Sequence, residues 1–266
     1  MTTHPIRVAA VSYLNSVPLV WGLVHGPDKD RFEVQYMLPS QCSDALIHGT
    51  ADAGIIPSIE YQRITGLRIV PGLSISSSGP VRSVLMISQC PIDKIKSLAL
   101  DVSSRTSACL VQLLLSRQYN VIPSLGTSQP DLKKMLGAYD AALLIGDPAL
   151  ATDFPGLFVY DLAVEWRKMT GLPFVFAFWA VREEAISQKI AHIFLHAKNY
   201  AWGYLEKIMQ QESRRTGMPA QLIYDYLTKN IDFTLGKENL SGLTHFYQMA
   251  QEMGLTEFNR PIEFTG

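Results

Sequence analysis

Cysteine is scarce in this 266-residue chain and poorly placed for cross-linking: Cys42, Cys90 and Cys109 are odd in number, widely spaced and without a Cys-x-x-Cys pair. That pattern excludes a disulfide framework and a zinc knuckle, so all three are read as reduced, small apolar residues. Long apolar runs are missing too. The longest, at 174–181, falls far short of the roughly 18 residues of a membrane span, and no membrane partner is expected. Excess charge is also absent, since 23 Lys and Arg stand against 24 Asp and Glu for a net charge of −1. Basic residues such as Lys94/Lys96, Lys133/Lys134 and Arg214/Arg215 are scattered, without the concentrated face that nucleic acid requires. The first residues, Met1 to Val8, lack a basic start leading into an apolar stretch and a small-residue cleavage pattern, which predicts a cytoplasmic protein.

Several catalytic signatures are absent. There is no Gly-x-Ser-x-Gly elbow, no Walker phosphate loop and no Gly-x-Gly-x-x-Gly fingerprint, which removes most support for hydrolase, NTPase and dinucleotide chemistry. His192 and His196 have i, i+4 spacing, but Ile193-Phe194-Leu195 between them holds no metalloprotease glutamate, so they are read as surface or packing residues and no metal is assigned. No tandem repeat, heptad series or low-complexity tract is present.

What the chain does have is one pattern used three times. The apolar run Ile6–Val11 leads into Ser12-Tyr13-Leu14-Asn15-Ser16 and then a helical stretch from Val17; 98–101 leads into Ser103-Ser104-Arg105-Thr106-Ser107 and an amphipathic run; 141–145 ends in Gly146-Asp147-Pro148, with Asp147 placed as a cap. A buried strand followed by a polar turn and a helix can carry hydroxyls, an amide and backbone N–H groups to one point, which suits carboxylate or phosphate oxygens. Ser76, Ser77, Ser78 and Ser83 add further hydroxyls. Any single Ser or Thr is also a default helix cap, and Ser103 and Ser104 are expected to cap whether or not a ligand binds. Asn15 is more specific, because an amide between an apolar strand and Pro18 needs several hydrogen bonds if buried.

Strands alternate with helical segments up to residue 181, which predicts a mostly parallel α/β architecture covered on both faces. Apolar segments at 81–88 and 173–181 are candidate crossings between two lobes, giving lobe 1 as 1–86 with 182–266 and lobe 2 as 87–181, with a ligand cleft between them. The competing architecture is an ordinary single α/β domain whose turns only cap helices. Beyond residue 182 the pattern is helical, at 183–213, 220–230 and 237–253, with a helix also expected at 43–48. Glu165 is either a pocket carboxylate or an exposed helix residue.

Taken in order, Ser12-Tyr13-Leu14-Asn15 with Pro18-Leu19, Gly79-Pro80-Val81-Arg82-Ser83-Val84, Ser103-Ser104-Arg105-Thr106-Ser107, Gly146-Asp147, and Glu165-Trp166 with Thr170-Gly171-Leu172-Pro173-Phe174 resemble the chorismate dehydratase family of the futalosine route to menaquinone. The resemblance runs from about residue 6 to residue 182. It implies a two-lobed fold like the type II periplasmic solute-binding proteins, no cofactor, and loss of water from chorismate, a dianion, to give 3-[(1-carboxyvinyl)oxy]benzoate. It also implies Asn15 and Ser83 as catalytic residues. Asn15 would hold the ring and its leaving hydroxyl, and Ser83 with Ser104, Thr106 and Ser107 would grip carboxylates.

Ser12, Tyr13, Arg82, Gly146 and Asp147 complete the expected binding set. Tyr13 either stacks on the ring or fills the core; Arg82 and Arg105 either assist or face solvent; Asp147 is either a helix cap or an acid. The proton acceptor is either a protein group or the substrate's own enolpyruvyl carboxylate. Rival readings are a non-catalytic small-anion receptor of the same fold and the dihydroxynaphthoate synthase of the same pathway, whose expected cleft histidine has no counterpart at these turns. A regulator's effector domain is a further possibility, but no helix-turn-helix segment precedes Ile6.

Overall fold

A parallel strand needs cover on both faces, and β1 (Ile6–Val11) is buried over its last four residues. A computed structural model, which describes residues 4–186 and 189–266, shows how that cover is supplied. After β1 come α1 (Val17–His25), β2 (Phe32–Met37), α2 (Pro39–Ile47), β3 (Ala53–Pro57), the short α3 (Glu60–Arg63) and β4 (Leu67–Ser77). The middle of the chain supplies β5 (Val84–Ser88), β6 (Ser97–Asp101), α4 (Arg105–Tyr119), β7 (Ser124–Ser128), α5 (Leu132–Ala138), β8 (Ala141–Ile145), α6 (Gly146–Leu150), β9 (Phe158–Asp161) and α7 (Leu162–Thr170). Then follow β10 (Phe174–Arg182), α8 (Ile190–Trp202), α9 (Leu205–Thr216), α10 (Ala220–Asp225), a π-helical turn at Tyr226–Asn230 and α11 (Lys237–Glu252).

The strands form two five-stranded sheets, in the orders β2-β1-β3-β10-β4 and β7-β6-β8-β5-β9. These orders are equivalent. In each, three strands run parallel, and a strand delivered from the other part of the chain lies antiparallel in fourth place, β10 in the first sheet and β5 in the second. The parallel strands therefore end at polar turns, the position where open α/β sheets bind ligands.

The chain changes sheets at 78–83 and again between β9 and β10. The run at 174–181, expected to make the return crossing, is instead a central strand of the first sheet, held by β3 on one edge and β4 on the other. Likewise β5, within the expected first crossing, pairs with β8 and β9 of the second sheet. The sheets thus part near 78–83 and 162–173, not at 87 and 181. A strand buried by two neighbours and a strand that spans a hinge carry the same apolar signature.

The helical periodicity at 183–213 resolves into α8 and α9, which part at Gly203 and Tyr204; residues 187 and 188 of that stretch lie outside the described residues. The helix expected at 43–48 begins earlier, at Pro39, where proline's fixed φ suits a first turn and the Gln41 side chain accepts the Leu38 N–H at 2.9 Å. In the C-terminal section, α8 packs on α1 and β4, and α11 packs on β10 and α4. Gly22 makes the first of these contacts so close that a Cβ there would lie 2.0 Å from the Ala197 carbonyl oxygen. Trp166, Trp179, Phe174, Phe178 and Phe246 are fully buried. Burial of each such aromatic contributes on the order of 1.5–3 kcal/mol.

Candidate active site

The ends of β1, β3, β6 and β8 converge on one cavity, which encloses about 550 Å³ of space free of protein atoms, part of it open to solvent. Its walls are mainly apolar: Val11, Pro39, Pro57, Ile75, Val81, Val84, Ile145 and Phe176, while its polar groups come from Tyr13, Asn15 and the segment Ser103 to Ser107.

The first turn gives the cavity two side chains. Ser16 is buried, and its hydroxyl donates to the Val11 and Tyr13 carbonyls, so it holds the turn's shape and not a ligand. Ser12 is exposed and does not line the cavity. Tyr13 and Asn15 do line it. Asn15 Oδ1 is buried and has no hydrogen-bond partner among the described residues, the kind of group that costs about 1–3 kcal/mol if left so. Burial also raises the Tyr13 phenol above its ordinary pKa, so it is neutral at physiological pH.

The second turn is built differently. Asp101 Oδ1 accepts from the Ser103 N–H at 2.9 Å and the Ser103 hydroxyl at 2.7 Å. Ser104 occupies the position before α4, yet its side chain makes no capping bond. Ser104 and Ser107 are buried, line the cavity and have hydroxyls with no bond to the described residues, so both can face a ligand together with the first N–H groups of α4. Thr106 bridges the two sheets: its Oγ1 accepts the Ile59 N–H at 3.1 Å and lies 3.4 Å from the Ser58 hydroxyl.

At the third turn, Gly146 has φ +68°, and a Cβ there would lie 2.7 Å from the Tyr13 ring, so only glycine lets this tyrosine pack flat against the turn. Asp147 is neither a cap for α6 nor a free acid. Its Oδ1 accepts the Leu14 N–H at 2.8 Å and its Oδ2 pairs with Arg215 at 3.1 Å, which ties the third turn to the first.

Of the remaining candidates, only Arg105 touches the cavity wall. Arg82 is exposed with φ +62°, its N–H donates to Asp161 Oδ2 at 2.7 Å, and it does not line the cavity, so the residue shapes the crossing segment. Ser83 is fully buried behind the cavity, where its hydroxyl accepts from Tyr226 at 2.7 Å. Arg105 touches the cavity, but its guanidinium is occupied by Glu60 at 2.5 Å and Asp44 at 2.8 Å. Ser76 and Ser77 are spent on Asp232 and Gly79 carbonyls. Glu165 is neither pocket carboxylate nor exposed residue; it is buried with Tyr119, Gln118 and Lys168. His192 and His196 are exposed, and among the described residues no three His, Cys, Asp or Glu side chains gather as a metal site.

Two groups at the site were not singled out by sequence. Tyr226, on the π-helical turn, is fully buried and donates to the Ser83 hydroxyl at 2.7 Å. Asp101 is buried, its Oδ2 lacks a partner among the described residues, and burial raises its pKa against the opposing effect of the Ser103 bonds. The chemical character that results is a largely apolar cavity with neutral donors on two walls and a helix N-terminus on one of them, suited to carboxylate oxygens.

Comparison with known proteins agrees with that character. The family model described as menaquinone biosynthesis matches residues 6–252. A chorismate dehydratase of Thermus thermophilus is 29% identical over 95% of this chain and 96% of its own length, and one of Campylobacter jejuni is 27% identical over 92% and 97%. Among solved structures, an Archaeoglobus fulgidus protein superposes with a TM-score of 0.74 at 17% identity, covering 96% of this chain and all of its own. The periplasmic aliphatic sulphonate-binding protein SsuA of Escherichia coli does so with a TM-score of 0.68 at 16% identity, covering 100% and 95%; these likenesses establish a periplasmic-binding-protein-like fold.

Proposed function

Since the chain belongs to the menaquinone biosynthesis family, we propose that it is a chorismate dehydratase, a carbon–oxygen lyase that removes water from chorismate to form 3-[(1-carboxyvinyl)oxy]benzoate. The observation that carries this reading is the pairing of Asn15, a cavity amide with a buried and unpartnered oxygen, with the hydroxyl-lined start of α4. Chorismate is a dianion with a hydroxyl to lose. Ser104, Ser107 and the N–H groups of α4 take a carboxylate; hydrogen bonds to charged groups contribute about 1.5–3 kcal/mol each, enough to hold it without a formal cation. Tyr13, kept flat by Gly146, covers the ring.

In the reaction, the enolpyruvyl carboxylate folds over the ring and takes the C3 proton, the C3–C4 double bond forms, and the C4–O bond breaks. The departing oxygen takes up one proton and leaves as water, with Asn15 donating a hydrogen bond to it. The step is redox-neutral and the new ring is aromatic, so the protein's task is alignment, shielding and proton placement. A cytoplasmic location belongs to the same proposal. No helix of the described residues is long and apolar enough to cross a membrane.

The test is to incubate purified protein with chorismate and follow aromatic ring protons by NMR, beside a protein-free control and Asn15→Ala. Formation of 3-[(1-carboxyvinyl)oxy]benzoate by the parent, with severe loss in the variant, is the expected result. Saturable binding without turnover would instead make the protein a receptor, and absence of binding would remove chorismate altogether.

A further inference from the structure

We propose that Asp147, at the turn after β8, is a positioning residue: its carboxylate clamps the backbone of the turn after β1 and so sets where Asn15 stands in the cavity. The geometry needs no assumption about a substrate, while the effect on turnover rests on the dehydratase reading. Leu14 opens the short 3₁₀ turn Leu14–Ser16 that carries Asn15, and the side chain of the preceding Tyr13 makes no capping bond to it. Leu14 is fully buried, so its N–H requires a partner from the protein. Asp147 Oδ1 accepts it at 2.8 Å, from 133 residues away and from the end of a strand in the other sheet.

The turn's other bonds are local. The Ser16 N–H donates to the Tyr13 carbonyl at 3.1 Å, the Val17 N–H returns to the Leu14 carbonyl, and the Ser16 hydroxyl donates to the Val11 and Tyr13 carbonyls. The Leu14 N–H, by contrast, is held from outside. Asp147 can hold it firmly because its second oxygen is fixed as well: Oδ2 accepts from Arg215 at 3.1 Å, and Arg215 Nε donates to Glu212 at 2.6 Å. Arg215 stands on α9, which docks on α1 through Ile208 packed with Trp21 and a bond from Trp21 Nε1 to Gln211 at 3.3 Å. Since α1 continues directly from the Asn15 turn, the Leu14 N–H and the guanidinium are two linked points that receive one carboxylate. A further contact braces the same junction, because Tyr13 lies against Gly146, where a Cβ would come within 2.7 Å of its ring. Such bracing matters for rate: a displacement on the order of 1 Å at a reacting group can cost about 10²-fold.

Asp147→Ala removes both bonds. The expected result is a roughly 10–100-fold loss of kcat, with KM within about threefold of the parent because the hydroxyls of the second turn are untouched. Asp147→Asn keeps an oxygen for the Leu14 N–H but gives up the ion pair, so its kcat should fall between those of the parent and the alanine variant. In the Asn15→Ala background Asp147→Ala should have no further effect on kcat, since the group it positions is gone. A parental kcat in Asp147→Ala, an asparagine variant as impaired as the alanine one, or a full additional loss in the Asn15→Ala background would overturn the proposal.

A second readout needs no substrate. The Leu14 backbone amide, followed by hydrogen exchange, should be protected in the parent and should exchange roughly tenfold faster or more in Asp147→Ala, with smaller changes in Asp147→Asn and in Arg215→Ala. Arg215 is exposed, so its variant keeps the test available if Asp147→Ala does not fold. A Leu14 amide as protected as the parent's in every variant that folds would remove the clamp. Loss of that protection on substitution of Asp147, in a protein that does not turn over chorismate, would keep the clamp and discard the dehydratase reading.

Discussion

The turns after β1 and β6 occupy equivalent places in sheets of equivalent order, yet they spend their polar groups in opposite ways. In the first, the Ser16 hydroxyl is consumed by its own backbone and Ser12 is exposed, so a single amide and a phenol reach the ligand space. In the second, Ser104 and Ser107 keep their hydroxyls free beside a helix start, and only Ser103 and Thr106 are tied. One turn offers a single oriented group and the other a field of donors. Repetition of a strand-turn-helix pattern therefore predicts where polar groups gather, while the internal hydrogen bonds of each turn decide which of those groups stay free to meet a ligand.

The largest expected effect tests the first turn. Asn15→Ala should lower kcat by about 10²–10³-fold, the scale found when one donor at a developing charge is removed, with KM little changed. If KM rises while kcat holds, the two turns share the same task and the contrast between them fails. Ser104→Ala with Ser107→Ala probes the opposite side. Loss of bonds to a carboxylate, at about 1.5–3 kcal/mol each, should raise KM on the order of tenfold or more per hydroxyl with a smaller change in kcat. Isothermal titration with the product, which keeps both carboxylates, separates that loss of grip from a loss of chemistry.

The unequal legibility of the two turns has a physical cause. Asn15 was readable because an amide between an apolar strand and a proline has no ordinary capping role. Arg105 sits in a conspicuous hydroxyl-rich segment, but the acids that occupy it, Asp44 and Glu60, come from α2 and α3, distant in sequence. Ser83 reads in sequence as a group that grips carboxylates, yet it is fully buried and bonded to Tyr226, 143 residues away. Nothing in the local pattern around Tyr226 distinguishes it from a residue on the apolar face of a helix. The alternation of strands and helices was legible for the converse reason, since it depends on neighbours within each segment. The sheet that receives 174–181 was not, because only long-range pairing decides it.

A smaller effect is expected where the second turn is fastened to the first sheet. Thr106→Val keeps shape but leaves the buried Ile59 N–H without its acceptor, a loss of about 1–3 kcal/mol that urea denaturation can read. If stability is unchanged while KM rises, Thr106 belongs with Ser104 and Ser107 as a ligand contact and not as a fastening.

The smallest effect concerns the strand end that precedes each turn, Val11 in the first and Asp101 in the second. Burial raises the Asp101 pKa above its ordinary value of 3.8, and the bonds from Ser103 only partly oppose this. The folded chain thus holds this proton more tightly than the unfolded chain does. The resulting stabilisation is complete below 3.8 and is lost as pH rises through the folded value. Asp101→Asn has no such titration, so its stability relative to the parent should improve as pH climbs through that window and level off above it. Urea midpoints of the two proteins, taken in steps from acid to neutral pH, read this difference. A difference that stays constant, or that moves against Asp101→Asn as pH rises, would mean that the Asp101 carboxyl is not held above its ordinary pKa, and the strand ends would then differ in polarity but not in this titration.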